Sequence, residues 1–208
     1  MDFIPPPVKL FAKHDAKGDY SNASVTAIQR APIMHPDIRT AREAIDKATE
    51  SMTTEQLTWH PEGKWCTAEI LEHLALAFGG TAKFLGRVAA DGKSVASKMT
   101  LKQRVGIAVV TGGGIIPGGR KAPQGVVPKG MPPDQVLPTI RKNLSDMDEA
   151  IAACEAKLGT KIKIADHPVL GPLTVAQWRR FHKVHTRHHM KQVTALRAQM
   201  ATTQKAHA

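Results

Sequence analysis

PPDQVLPTIRKNLSDMDEAIAACEAKLG, residues 132–159, has the clearest hydrophobic period in the chain. Its apolar side chains alternate spacings of four and three residues, at Ile140, Leu144, Met147, Ile151, Cys154 and Leu158. An α-helix brings such positions onto one face, which predicts a long helix that packs against other helices. The two prolines suit a first turn, and the final glycine suits a helix end.

Two further amphipathic helices are predicted upstream. The first begins at Pro36 and carries apolar residues at spacings of three and four as far as Met52. The second begins after Trp65, with Thr67 as its expected N-cap, and continues to about Ala90. Its apolar positions again recur once per turn, so both helices are expected to bury one face.

A fourth helix is predicted from the capping box Thr174-x-x-Gln177 to about Met200. The segment 160–173 before it is expected to be a loop, and no stretch shows the alternation of a strand. Four long amphipathic helices predict an all-α four-helix bundle. The long connection between the second and third helices, residues 92–131, is rich in glycine and proline and would cross the bundle.

The chain length is consistent with one core. Its 208 residues suit a single domain with a short appendage. Residues 1–33 lack any sustained period and are expected to form an extended arm. Residues 34–200 would form the bundle and residues 201–208 a C-terminal tail.

The charge of the chain is strongly basic. Lys and Arg number 29 against 18 acidic residues, a formal net charge of +11. Such a balance suits nucleic acid, but the positive charges are spread along the chain. Five Phe, three Trp and one Tyr give few platforms for base stacking. We therefore expect any nucleic-acid binding to be non-specific, and a basic, non-enzymatic bundle that binds nucleic acid is kept as an alternative.

Cysteine content and hydropathy predict the compartment. Cys66 and Cys154 are too few for a disulfide framework and lack the spacing of a thiolate zinc site. The N-terminus does not look like a secretory leader. The longest apolar stretch, residues 105–116, is interrupted by glycines and too short to span a bilayer. The expected location is cytoplasmic, with no membrane partner; the sequence leaves monomer and homodimer both open.

Histidine is concentrated on the fourth predicted helix. Four of the ten histidines lie within residues 182–189. At about 100° per residue, His185 and His189 share the inward arc that contains Trp178. His73 lies on the apolar stripe of the second helix and is also expected to point inward.

These three inward histidines can be read in two ways. Each could be a core histidine with its own hydrogen-bond partner. Alternatively, a pair at positions i and i+4 is a known device for gripping a divalent cation, and a third histidine would complete the set. Leaving three buried imidazoles unpaired would cost roughly 1–3 kcal/mol each, which one shared cation would avoid. The sequence therefore predicts His73, His185 and His189 as metal ligands.

Other residues are candidates for supporting roles around the predicted metal. Four could orient a ligand: Glu69, His182, His188 and Gln192. Glu69 could equally serve the helix dipole as a first-turn carboxylate. The walls of a substrate pocket are expected to include Trp59, Trp65 or Trp178. Cys66 is expected to be a buried packing residue, and no catalytic residue is assigned.

Three motifs together resemble a known family. They are WCTAEILEHL at residues 65–74, LTVAQW at residues 173–178 and HTRHHMKQV at residues 185–193. The chain resembles the DinB/YfiT-like superfamily of metalloenzymes over roughly residues 34–200. Within this span DHPVLGPL, residues 166–173, is similar to a branch named only as a domain of unknown function. The resemblance implies a four-helix bundle with three histidines around a divalent ion.

The matching histidines are the same three, His73, His185 and His189. Two features depart from the family. Cys66 stands where members often have Ser or Thr, and residues 92–131 are longer and richer in glycine than a compact member needs.

The donor set limits both the metal and the chemistry. Three neutral imidazoles without a thiolate suit zinc, nickel or iron. Three protein ligands leave a coordination position free, as in catalytic sites. We expect an enzyme with a small-molecule substrate. The resemblance suggests transfer involving a low-molecular-weight thiol, and a metal-dependent hydrolase is the alternative.

Overall fold

The computed structural model describes residues 33–117 and 121–206. The predicted N-terminal arm therefore lies outside the described residues, apart from its last residue. The described ranges contain six α-helices and one two-stranded sheet. The elements are α1 (Pro36–Ala48), α2 (Thr54–Thr58), α3 (Thr67–Asp91), α4 (Leu101–Ile107), α5 (Pro133–Leu158), β1 (Ala165–His167), β2 (Gly171–Leu173) and α6 (Val175–Ala206).

The predicted all-α bundle is confirmed. Its four long helices are α1, α3, α5 and α6; α3 packs along α5, and α1 packs along α6. The apolar period from Ile140 to Leu158 lies on α5. Five of its apolar side chains have no exposed surface: Ile140, Leu144, Met147, Ile151 and Cys154. None of the helices in the described ranges has the length and hydropathy needed to cross a membrane.

The N-cap predicted for α3 is wrong by one residue. Cys66, not Thr67, caps the helix: its Sγ accepts a hydrogen bond from the Glu69 backbone N–H at 3.4 Å. The Glu69 carboxylate in turn accepts the Cys66 backbone N–H at 2.8 Å, which completes a capping box. A thiol lies outside the usual set of capping side chains, so the neighbouring threonine was the expected choice.

The segment predicted as a loop before α6 contains a small hairpin. Strands β1 and β2 pair antiparallel, with Ala165 opposite Leu173 and His167 opposite Gly171. The prediction that residues 160–173 form only a loop is therefore wrong. Strands of three residues are too short to show the alternating pattern that would have predicted them. The capping box at Thr174 and Gln177 is present, as expected. Helix α6 runs on to Ala206, beyond the predicted end near Met200.

The crossing connection is attached to this hairpin. The Val95 backbone N–H donates to the Ile164 carbonyl at 3.0 Å, and the Ser97 N–H donates to the Asp166 carboxylate at 3.0 Å. Helix α4 follows and ends at Ile107, and one turn of π-helix, Ala108–Gly112, continues it to the start of the run Gly112–Gly114. The start of the connection is therefore held against the hairpin.

Gly171 allows the connection to approach the hairpin closely. Its φ is +74°, in the left-handed region that disfavours a side chain, and a Cβ there would overlap the Gln103 side chain. Gln103 is itself held in place, since it forms a capping box with Thr100 at the start of α4. This glycine consequently fixes how α4 sits on the hairpin.

We expect Gly171→Ala to lower the free energy of unfolding by about 1–3 kcal/mol, from backbone strain and displacement of Gln103. The matched control is Gly80→Ala on α3, where an added Cβ meets no atom within 4 Å. That change should stabilise the protein by up to about 1 kcal/mol through helix propensity. Urea unfolding of the three proteins measures both effects. Equal effects of the two substitutions would show that the glycine at the hairpin is not required.

Candidate metal centre

Three histidine side chains meet where α3 faces α6. His73 extends from α3, and His185 and His189 lie one turn apart on α6. The Nε2 atom of His185 is 3.2 Å from Nε2 of His73 and 3.0 Å from Nε2 of His189. Their ligand atoms all lie within 4.8 Å of one another. These three residues are called the histidine trio below.

Hydrogen bonds fix the tautomer of two of these rings. His73 Nδ1 lies 2.8 Å from the Val126 carbonyl oxygen, which can only accept. His189 Nδ1 donates in the same way to Gln192 Oε1 at 2.7 Å. In a neutral imidazole the proton then sits on Nδ1 in both cases. Their Nε2 lone pairs are therefore free and point at His185.

His185 cannot satisfy both lone pairs that face it. A neutral imidazole carries one proton, and its Nε2 is the atom that both neighbours approach. Its Nδ1 is buried and, within the described part of the chain, has no hydrogen-bond partner. The centre of the trio is therefore electron-rich and has at most one N–H donor, that of His185, for two lone pairs.

A cation fits this centre by distance as well as by charge. Nitrogen ligands about 2.0–2.1 Å from a tetrahedral metal are about 3.3 Å apart, close to the two separations found here. In metal sites the second ring nitrogen usually donates to a carbonyl or a polar side chain, as it does in His73 and His189. The donor set thus suits a divalent ion.

Burial keeps the trio neutral. Burial lowers the pKa of His73. Burial, followed by the neighbouring His73 ring, lowers the pKa of His189 to about 4. Burial, followed by the nearby His189 and His73, holds the pKa of His185 well below its usual value. All three rings are therefore unprotonated at neutral pH and offer lone pairs to a cation.

The trio opens onto a cleft of about 910 Å³. The cleft is lined by α4, the π-turn, residues 116–117 and 121–123 of the crossing connection, the hairpin turn and Phe181 of α6. Trp65 stands beside His73, with 5.4 Å between the ring centroids. The three histidines are thus accessible to a small molecule.

Comparison with protein-family models gives one match. The model described as the DinB superfamily covers residues 37–193, well over half of the chain. The chain belongs to the DinB superfamily. Members of this superfamily generally bind metal, consistent with the histidine trio. Neither the curated proteins nor the solved structures contain a significant match.

Of the remaining candidates in this DinB chain, Gln192 and His188 both contact His189 of the trio. The Gln192 side-chain amide donates to His188 Nε2 at 3.4 Å while its oxygen holds His189. The His188 ring also packs edge-on against His189, at 5.2 Å between centroids.

Glu69 and His182 lie apart from the trio. The Glu69 carboxylate is used in the cap of α3. His182 is buried among Phe78, Trp178 and Phe181, and its Nε2 is 3.2 Å from the Thr81 hydroxyl. Both residues support the helices.

Only one predicted tryptophan lines the cleft. Trp65 does so, whereas Trp178 is 1 % exposed and packs inside the core against His182. Trp59 caps the end of α2. Cys66 is buried, and burial raises the pKa of its thiol, so it is a packing and capping residue, not an activated nucleophile.

Glu72 was missed by the sequence analysis. It is 3 % exposed, and its carboxylate accepts three successive backbone N–H groups at 2.8, 3.1 and 2.9 Å, those of Lys129, Gly130 and Met131. This holds the connection beside α3 and brings the Val126 carbonyl to His73. The available signal was an acid on a helix face that is otherwise apolar.

His182 makes the stability of this DinB chain depend on pH. Burial, with a smaller contribution from His167, lowers its pKa to about 3 from 6.5. The unfolded chain takes up this proton below pH 6.5 while the folded chain does not, so stability falls as the pH falls towards 3. Between pH 7 and pH 5 this residue should account for a loss on the order of 2 kcal/mol.

We therefore expect His182→Gln to reduce the difference in unfolding free energy between pH 7 and pH 5 by about 2 kcal/mol. Urea unfolding with a chelator present at both pH values measures it. His60→Gln replaces an exposed histidine and is the control. An unchanged pH dependence in His182→Gln would contradict the assignment of a neutral, buried ring.

Proposed function

We propose that this protein is a metal-dependent enzyme in which His73, His185 and His189 hold one divalent ion. The observation that carries the proposal is the pair of fixed tautomers, which direct two lone pairs at a third ring with no donor to meet both. Membership of a superfamily that generally binds metal supports it. Zinc, nickel and iron all suit three neutral nitrogens.

The reaction we propose is a transfer that involves a small thiol. A divalent ion held by three histidines supplies Lewis acidity, which favours the thiolate form of a bound thiol or the deprotonated form of bound water. The protein contributes an apolar enclosure. Trp65, Phe181 and Leu170 line the cleft, exclude water and leave space for a substrate body beside the trio.

The cleft favours the thiol reaction over hydrolysis. Metal-dependent hydrolases commonly place a carboxylate beside the metal as general base. No Asp or Glu is among the described residues that line this cleft. Glu69 and Glu72, the nearest acids in sequence to His73, use their carboxylates on backbone N–H groups. A thiolate needs no such base to act as nucleophile.

The metal assignment makes a first prediction. Protein purified without an affinity tag and reconstituted should hold about one zinc ion per chain, and His185→Ala should lose most of it. Elemental analysis after gel filtration measures this, and the thermal melting temperature should rise with zinc in the wild type but not in His185→Ala.

His188→Gln is the matched control, because His188 lies one turn from the same region yet contacts only Gln192 and the outer side of His189. It should retain the zinc. Loss of zinc in His188→Gln with retention in His185→Ala would overturn the ligand assignment.

The reaction class makes a second prediction. Cobalt-substituted protein titrated with 2-mercaptoethanol should develop a thiolate charge-transfer band, and the same protein should not turn over p-nitrophenyl esters. His185→Ala treated with cobalt should show no band. Ester turnover without a thiolate band would favour the hydrolase instead, and neither response would remove the catalytic proposal.

A further inference from the structure

The cleft beside the histidine trio has an uneven charge. Lys102 and Lys121 line it on the side of the crossing connection, and no acidic residue is among its described lining residues. Positive side chains in a partly enclosed cleft raise the local concentration of anions. The formal net charge of +11 acts in the same direction.

A fifth histidine lines the same cleft. His167 ends β1, and its Nδ1 accepts the backbone N–H groups of Val169 and Leu170 at 3.1 and 3.3 Å. Because Nδ1 accepts twice, the ring proton lies on Nε2. No described residue makes a hydrogen bond to that Nε2.

Aromatic packing holds this ring in place. The centroid of His167 is 4.1 Å from that of Phe181 and 5.3 Å from that of Trp178. Phe181 stacks in turn on His185, with 5.3 Å between centroids. Phe181 therefore contacts both the His167 ring and His185 of the trio, and this packing restricts rotation of the His167 ring.

We propose that the cleft takes a small anionic molecule with an apolar body, and that His167 donates a hydrogen bond from Nε2 to its anionic oxygen. Lys102 and Lys121 add attraction at the mouth, and Phe181, Leu170 and Trp65 contact the apolar part. This substrate class rests on the proposed function for its place beside the trio, but its recognition uses residues outside the trio.

A matched pair of probes isolates the charge. Phenylacetate and phenylacetamide have nearly the same shape, so calorimetry of each compares the anion with its neutral analogue. We expect phenylacetate to bind about 10-fold more tightly or better, since hydrogen bonds to charged groups are the stronger ones. The preference should weaken with added salt. Equal affinities would overturn the proposal.

Two variants separate the proposed donor role of His167 Nε2 from the structural role of Nδ1 in the turn. His167→Asn keeps an acceptor near Nδ1 for the turn but has no atom at the position of Nε2. His167→Gln can place an amide N–H near the Nε2 position but gives up the acceptor for the turn. We expect His167→Asn to keep most of its thermal stability and lose about 10-fold in phenylacetate affinity. His167→Gln should lose stability and keep the preference for the anion. The reverse pattern would show a purely structural histidine.

The lysines provide an independent readout. Lys102→Gln and Lys121→Gln should each weaken phenylacetate binding by roughly 3-fold and leave phenylacetamide unchanged, because exposed charges contribute modestly. Lys205→Gln, at an exposed position near the end of α6, is the control for net charge. An equal loss in all three variants would assign the effect to overall charge and contradict a specific site.

Measurement with and without metal distinguishes this proposal from the proposed function. Chelator-treated protein should still prefer phenylacetate, since the lysines and His167 remain. A preference that appears only with zinc and is unchanged in His167→Asn would make the metal the anion receptor and overturn the proposal. A preference in a protein that binds no metal would reject the metal-dependent function and retain the anion site.

Discussion

The carboxylate of Glu72 connects the long crossing segment to the helix that carries His73. The described residues of this connection, 92–117 and 121–131, lie largely outside helices and strands, and ordering them costs conformational entropy. Three backbone N–H groups donated to one buried carboxylate offset part of that cost, since hydrogen bonds to charged groups contribute about 1.5–3 kcal/mol each. The same contact brings the Val126 carbonyl to the ring of His73. One interaction therefore holds the connection beside α3 and sets the tautomer of a candidate ligand.

The long helices were predictable because their signals are local. A period of three and four residues places the buried face of α5, and the capping box at the start of α6 is formed by Thr174 and Gln177, three residues apart. The hairpin before α6 carries no such signal. Its strands are three residues long, and its position depends on the Ile164 carbonyl receiving an N–H from Val95, nearly 70 residues away in sequence.

The residues of the candidate site also fall into those that local sequence patterns predict and those that they do not. Helical geometry alone indicated that His73, His185 and His189 point inward, and the structure brings their nitrogens together. An acid on an apolar helix face was a signal for Glu72, but the partners of Glu72 and His167 were not predictable, since they are backbone N–H groups of a loop and a turn. Backbone groups are present at every residue, so no pattern of side chains marks where they will be used. Cys66 shows the same limit, because its sulfur caps the helix together with a second hydrogen bond, from the Cys66 backbone N–H to the Glu69 carboxylate.

The charges of the side chains around this cleft determine which ligands it can bind. A chain with a net charge of +11 repels cations, yet burial leaves the three trio rings neutral with converging lone pairs. A divalent ion therefore meets ligands rather than charged imidazoles at neutral pH. A divalent ion held there would add to the attraction that Lys102 and Lys121 exert on an anion. In the proposed site the lone pairs of the neutral imidazoles suit a cation and the exposed lysines suit an anion, so the two ligands would not compete for the same contacts.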